Sequence, residues 1–448
     1  MLKDTHDYKI VGGAPLRGVV CASGAKNAVT KQMVATLLTE EPCVLRNVPR
    51  ILEVDVVLDM MRDLGTETEW IDEHALRVQT KIVHSGEVPA AYSGVNRIPI
   101  LMLGPLLHRR EEASVPGLGG CPIGARPIDF HLTALADMGA DVTTTASAVV
   151  LRASKLEGTH VRFAFPSVGA TENVLLAAVL AKGTTVIDNA AVEPEVLDLV
   201  HFLQQMGALV SVGVERRITI EGVSRLRGAD HTAITDRIEA ASFAAAAVAT
   251  DGSVEVVGAR QDVLGSFLNT LRKVGGEFEV TPRGLRFFRA HELIAQHVET
   301  SVHPGFMTDW QQPLVVLLTQ ARGASVIHET VYENRFGYTE QLNEMGGQIA
   351  LSTHCLGGTP CRYRSKDFRH SAVVMGPTPL TGANLEIPDL RAGFAYVMAA
   401  LVANGESTVR GTRYLERGYE DPVGKLLAMG AQIETCPLSV APQPTVVA

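Results

Sequence analysis

The chain has 448 residues, 46% hydrophobic and 20% charged, a globular composition that excludes disorder as its main state. Forty Lys and Arg against 49 Asp and Glu give a net charge of −9. That balance counts against a nucleic-acid binder and requires cations serving an anionic ligand to be gathered locally. No signal peptide is read at the start, and no apolar run reaches the ~18 residues of a bilayer span. A cytoplasmic protein with no membrane or nucleic-acid partner is expected, as a monomer or weak homo-oligomer.

In chain order, one phrase recurs: a helix ending in a large apolar residue, a Gly, then a run leading into a strand. The first unit opens on Leu16-Arg17-Gly18 and a short strand in which Cys21 reads as core. The turn Ser23-Gly24-Ala25-Lys26-Asn27 leads into a helix over 26–39, and a second helix ends at Leu64-Gly65. The second unit carries Gly94-Val95-Asn96-Arg97, the Gly- and Pro-rich loop Pro116 to Asp129, and helix 129–138 ending at Gly139. In the third, Leu156-Glu157-Gly158 and Ser167-Val168-Gly169-Ala170-Thr171 precede a helix over 171–182, the β-branched run Thr184-Thr185-Val186-Ile187, and Gly207. Thr235-Asp236-Arg237 and Gly275 mark the fourth unit, Met307-Thr308-Asp309 and Gly346 the fifth, and Pro388-Asp389-Leu390-Arg391 and Gly430 the sixth. The marker glycines are spaced by 74, 68, 68, 71 and 84 residues, so six units of the form β-α-β-α-β-β account for nearly the whole chain. The expected fold is α/β, three units to a domain, each marker Gly serving as a left-handed helix cap.

Lys26, Arg97, Arg237 and Arg391 stand where helices begin. The macrodipole disfavours cations there, by up to ~1 kcal/mol, whereas free N–H groups favour anions. Four such turns facing one cleft would cradle a small polyanion; individually, these cations could instead pair with neighbours such as Asp236 and Asp389. In the loop, Cys121 lies five residues before Arg126, and an exposed thiol near cations is reactive. The six cysteines show no CxxC and no Cys/His cluster at zinc spacing, so no structural metal is expected. Cys355 and Cys361, flanking Gly357-Gly358, could meet without requiring a disulfide. P-loop, Rossmann and hydrolase-triad patterns are missing.

Gly24-Ala25-Lys26-Asn27, Gly119-Gly120-Cys121 through Asp129, and Ser167 to Asn173 resemble the enolpyruvyl transferase family. So do His303 to Asp309, Glu329 to Phe336, Asp389-Leu390-Arg391 and Arg417-Gly418-Tyr419-Glu420. The resemblance implies two inside-out α/β barrel-like domains with a cleft between them, residues 26–234 and residues 1–25 plus 235–448. It implies transfer of the enolpyruvyl group of phosphoenolpyruvate to the 3-hydroxyl of UDP-N-acetylglucosamine, an early step of peptidoglycan precursor synthesis. Phosphate leaves after addition and elimination. By resemblance, Cys121 is the general acid, Asp309 the base, and Lys26, Arg126, Arg391 and Arg417 hold phosphoenolpyruvate. Asn27, Arg97, Arg126, Pro127, Ile128, Asp129, Phe130, Ser167, Val168, Gly169 and Val331 resemble UDP-sugar contacts, with Arg335 a supporting cation. No cofactor or metal is implied, and Cys121 is the expected target of fosfomycin-type epoxides. An extra Leu118 in the loop, a changed segment at 93–99 and a divergent stretch from Cys355 to His370 depart from the family pattern. They leave open another nucleotide acceptor or a silent UDP-sugar-binding paralogue.

Overall fold

The computed structural model describes residues 6–120, 124–358 and 361–438. Composition decides which helices lie inside. Arg237–Ala249, rich in Ala, is buried at all thirteen positions, and Gln311–Thr319 at all nine. Helices apolar all round belong in a core, and their small side chains allow close packing. These two helices and Leu390–Val402 pack against one another. In the other half of the molecule, Pro99–Arg110 packs against Lys26–Ala35 and Val168–Ala178. The buried apolar side chains accordingly fall into two clusters. One runs from Val29 to Ala233; the other takes Tyr8 to Val20 and then Ile238 to Ala431.

Among the described residues, six small sheets flank these helices. The third unit shows the pattern. His160–Arg162 pairs in parallel with Thr184–Asp188 through the intervening helix Val168–Ala178. Thr184–Asp188 then pairs antiparallel with Ile218–Glu221, which pairs with Leu209–Val212. In the second unit the opening strand shrinks to a single bridge between Glu87 and Ser114. The six marker glycines, Gly65, Gly139, Gly207, Gly275, Gly346 and Gly430, all have φ between 90° and 118°, as left-handed helix ends require.

Two features differ from the sequence reading, the exposure of Cys21 and the end of the first helix. The strands opening the first and fourth units are exchanged: Arg17–Cys21 pairs with Ser253–Val257, and Asp230–Thr232 with Cys43–Arg46. The chain therefore passes twice between the two cores, and Gly24 and Thr235 bridge where the two passes meet. Cys21 is exposed, because Val20 takes the inward face of its strand and the next residue must point out. The first helix ends at Ala35 and tightens into a 3₁₀ turn at Thr36–Leu38. The N-terminal strand His6–Val11 inserts between Glu406–Arg410 and Gln432–Pro437, completing the sixth sheet with the other end of the chain. No described helix is long and apolar enough to cross a membrane.

Gly104 marks the closest approach of two core helices. A Cβ there would stand 2.9 Å from the Ala177 Cβ and 3.0 Å from its Cα. Gly104→Val is expected to lower unfolding free energy by about 1–3 kcal/mol through overpacking, read from denaturant unfolding. An unchanged midpoint would contradict this packing.

Candidate active site

A cavity of about 630 Å³ opens between the two cores and draws its walls from both. Among the described residues, eight cationic side chains line it, against six acidic ones. In a chain of net charge −9 that is the local gathering an anionic ligand needs. Of the four helix-start cations, Lys26, Arg97 and Arg237 reach the cavity wall. Arg391 lies just behind it, bound to Asp309.

The two acids next to these cations in the chain are taken up as helix caps. Asp236 and Asp389 cap their own helices, accepting from the N–H groups of Ile238 and Glu239 and of Arg391 and Ala392. By contrast, the helices starting at Lys26 and Pro99, and the turn Thr308–Trp310, have no side-chain cap. All three starts border the cavity and bring uncapped helix N-termini to it.

Asp309 is the electrostatic centre. Its Oδ1 accepts from Arg335 Nη2 at 2.6 Å and lies 3.3 Å from Arg391 Nε. Burial pushes the Asp309 carboxyl up, but Arg391, Arg335, Lys26 and Arg237 outweigh it and hold the carboxyl below the usual carboxylate range. The turn carrying Asp309 is fixed by the fully buried Glu329, which accepts from Thr308 Oγ1 at 2.8 Å. The same carboxylate accepts from the N–H groups of Val331 and Tyr332 at 2.7 and 3.1 Å, so one buried anion sets the Asp309 turn and the Val331 turn together. From the same half of the molecule as Asp309, Arg417 reaches across and donates to Glu53 Oε2 through Nε at 3.0 Å and Nη2 at 2.5 Å, and to the Val95 carbonyl at 3.2 Å. That pair joins the two cores across the cleft.

Asn27, Arg126, Pro127, Asp129, Phe130, Ser167, Val168, Gly169 and Val331 also line the cavity. Ile128 instead packs on the first core, and Arg335 stands behind Asp309. Cys121 lies outside the described residues; Gly120 beside it faces Arg97 and Arg126, which a Cβ would approach to 3.4 and 3.0 Å. Burial and the nearby Arg126 pull the Arg97 guanidinium down to about 10. The loop is tied at both ends. Gly94 donates to the Gly117 carbonyl, Gly119 to that of Asn96, and Ala125 to Glu333 Oε1 at 2.9 Å. The extra Leu118 packs against the first core. Arg126 itself sits at φ 45°, a left-handed strain held by its surroundings.

Sequence reasoning missed Glu172 as a site residue. It is 1% exposed, lines the cavity, and neither carboxylate oxygen has a hydrogen-bond partner. Burial pushes it up to about 7. An acid one turn inside an apolar helix carries no motif of its own. Arg237 was visible as a helix-start cation, but its buried partner Glu195, at 2.9 Å, comes from a distant helix. Arg362 and Lys366 reach the cavity from the divergent segment near the C-terminus.

Because the Asp309 carboxyl is held down, its stabilising pairing is complete above the ordinary carboxylate pKa of about 4 and is lost as pH falls through the depressed value. Asp309→Asn strands two buried guanidiniums and is expected to cost about 3–5 kcal/mol near neutral pH. Urea unfolding should then show less loss of stability on acidification in the variant than in the wild type; parallel profiles would contradict the arrangement.

Comparison with known proteins gives the family of the chain. Residues 10–426 match the family model for EPSP synthase (3-phosphoshikimate 1-carboxyvinyltransferase). The chain is 51% identical over 434 residues to a UDP-N-acetylglucosamine 1-carboxyvinyltransferase of Protochlamydia amoebophila (strain UWE25), covering 95% of this chain and 93% of the relative. It is 48% identical over 431 residues to the protein of that name from Chlamydia pneumoniae, covering 95% and 94%. The enolpyruvyl transferase NikO from Streptomyces tendae superposes with a TM-score of 0.85 at 25% identity, over 97% of this chain and all of that one. EPSP synthase from Acinetobacter baumannii shares the fold, with a TM-score of 0.72 at 18% identity over 96% of this chain and all of that one. The chain belongs to the EPSP synthase family of enolpyruvyl (1-carboxyvinyl) transferases, beside the UDP-N-acetylglucosamine 1-carboxyvinyltransferases.

Proposed function

We propose that this enzyme transfers the enolpyruvyl group of phosphoenolpyruvate to the 3-hydroxyl of UDP-N-acetylglucosamine, releasing phosphate and serving peptidoglycan precursor synthesis. The observation that carries the reading is the convergence of Lys26, Arg97, Arg126 and Arg417 on one cleft around the Asp309–Arg391–Arg335 cluster. Relatives that are 48–51% identical, against 25% for NikO, favour the UDP-N-acetylglucosamine acceptor. The two separate cores support a division into residues 26–234 and residues 1–25 plus 235–448, with the cleft between them.

The chemistry follows from the charges. Phosphoenolpyruvate brings a phosphate and a carboxylate, which the cations neutralise without a metal. In the addition step the Cys121 thiol gives its proton to C3. The acceptor oxygen forms a bond to C2, and its proton passes to the Asp309 carboxylate. Held down by Arg391 and Arg335, that carboxylate is a weak base at rest. Substrate anions drawing these guanidiniums away would raise its basicity when it is needed. In the elimination step, the Cys121 thiolate takes a proton back from C3, the C2–O bond to phosphate breaks as the C2–C3 double bond re-forms, and phosphate leaves into the cationic wall with the proton that Asp309 had taken. The surrounding cations and helix N-termini stabilise charge in place, the largest contribution such a site can make. Val331, Phe130 and Pro127 form an apolar wall for the nucleotide, with Ser167 at a helix start beside them.

Purified protein given phosphoenolpyruvate and UDP-N-acetylglucosamine is expected to release phosphate and to add an enolpyruvyl mass to the nucleotide sugar. Lys26→Met should lower kcat by about 10²–10³, as loss of a transition-state cation does. Phosphate release no faster than in Cys121→Ala would overturn the proposal.

A further inference from the structure

We propose that His328, Cys355, Cys361 and His370 form a zinc site that fastens the 353–370 segment to the end of its sheet. Among the described residues this is the one place where three or more potential metal ligands converge. One donor atom from each lies within 4.8 Å of all the others. Tetrahedral zinc with Zn–S and Zn–N bonds of about 2.3 and 2.0 Å needs separations of about 3.3–3.8 Å, so the group is within about 1 Å of closing on an ion. Two sulfurs and two imidazoles in a closed, partly buried group suit zinc better than magnesium or calcium, which prefer oxygen.

The hydrogen bonds fix both imidazoles in the ligating form. Ser371 Oγ donates to the His354 carbonyl at 2.8 Å, so it meets His328 Nδ1, also at 2.8 Å, as an acceptor. The Nδ1 proton of His328 is therefore spent there, and Nε2 carries the lone pair. That Nε2 is buried and has no hydrogen-bond partner, while His328 is 0% exposed. His370 repeats the device: Nδ1 donates to the Phe368 carbonyl at 2.7 Å, leaving the Nε2 lone pair 3.3 Å from Cys355 Sγ. An acceptor on the far nitrogen is how proteins orient metal-bound histidine. Cys361 Sγ accepts from the Tyr363 N–H at 3.3 Å, a bond suited to a thiolate. Gly357 lets the segment cross close over His328, since a Cβ there would stand 2.3 Å from the ring.

A disulfide between Cys355 and Cys361 would leave the two oriented histidines without purpose and would not partner His328 Nε2. The site also has work to do. The segment it would anchor places Arg362, Tyr363 and Lys366 in the cleft wall. Tyr363 Oη donates to the Val331 carbonyl at 2.7 Å, and Arg362 lies 4.5 Å over the Phe165 ring of the other core. A metal here would set one wall of the substrate cavity without touching substrate.

Metal analysis of the full chain, expressed with zinc and purified reduced without chelator, is expected to find about one zinc per chain. Cys361→Ser should lose most of it. Because that variant can misfold, the unaltered apoprotein should also be titrated with Co(II), which is expected to give the thiolate charge-transfer and tetrahedral visible bands of S₂N₂ cobalt. Chelation should speed proteolysis within 353–370 and zinc should reverse it. Reduced protein that holds no zinc and gives no cobalt–thiolate band would overturn the proposal. So would an unreduced peptide mass showing Cys355 joined to Cys361 in freshly purified protein.

Discussion

The arrangement turns on one carboxylate between two guanidiniums. Arg335 and Arg391 are 3% and 6% exposed, and two guanidiniums in so dry a place would be strongly destabilising without Asp309 between them. The cluster keeps a reservoir of positive charge just behind the cavity wall while Asp309 remains ionised. In the proposed reaction an incoming phosphoenolpyruvate anion would compete for those guanidiniums, and any hold it gained on them would loosen the grip on Asp309. On that proposal, substrate binding and activation of the base would be one electrostatic event. Glu329 makes this possible by spending a buried carboxylate on backbone N–H groups and Thr308, which keeps the turn in place while its charges are redistributed.

The fold delivers the charges through symmetry. Each unit brings the start of a buried helix toward the same cleft. At some starts Asp236, Asp389 or Ser167 satisfies the free N–H groups; at others no side chain does. Capped starts hold Arg237 and Arg391 in buried ion pairs, whereas the uncapped start at Lys26 opens on the cavity. The exchanged strands Arg17–Cys21 and Asp230–Thr232 place the two chain passes side by side beneath this point. Lys26 begins its helix directly after one pass and Arg237 directly after the other. Movement of one core against the other would change the distance between the cation sets while leaving each sheet intact.

Much of this was legible in the sequence. The glycine repeat reported helix ends because only a left-handed residue closes them, and all six glycines have that conformation. Lys26, Arg97, Arg237 and Arg391 could be found because a cation at a helix start is locally unfavourable and so asks for a reason. The repeat alone did not show the strand exchange, because Asp230–Thr232 has three residues and its partner Cys43–Arg46 lies far back in the chain; only the domain bounds implied by the family resemblance carried it. Cys21 was misplaced because a short apolar run does not reveal which face is inward. Glu172 was silent because its role depends on what surrounds a buried helix. The cysteines and histidines show no zinc spacing, since His328, Cys355, Cys361 and His370 come from two strand ends and the long connection between them.

The central claim is that cations from both cores meet on one small polyanion beside the nucleotide sugar. A crystal structure of Cys121→Ser with phosphoenolpyruvate and UDP-N-acetylglucosamine, or with their trapped adduct, tests it most directly. The account predicts phosphate and carboxylate oxygens within hydrogen-bond distance of Lys26 or Arg126 on one wall and of Arg391 or Arg417 on the other, with the sugar 3-hydroxyl beside Asp309. Phosphoenolpyruvate held by one wall alone, or seated away from Asp309, would contradict it.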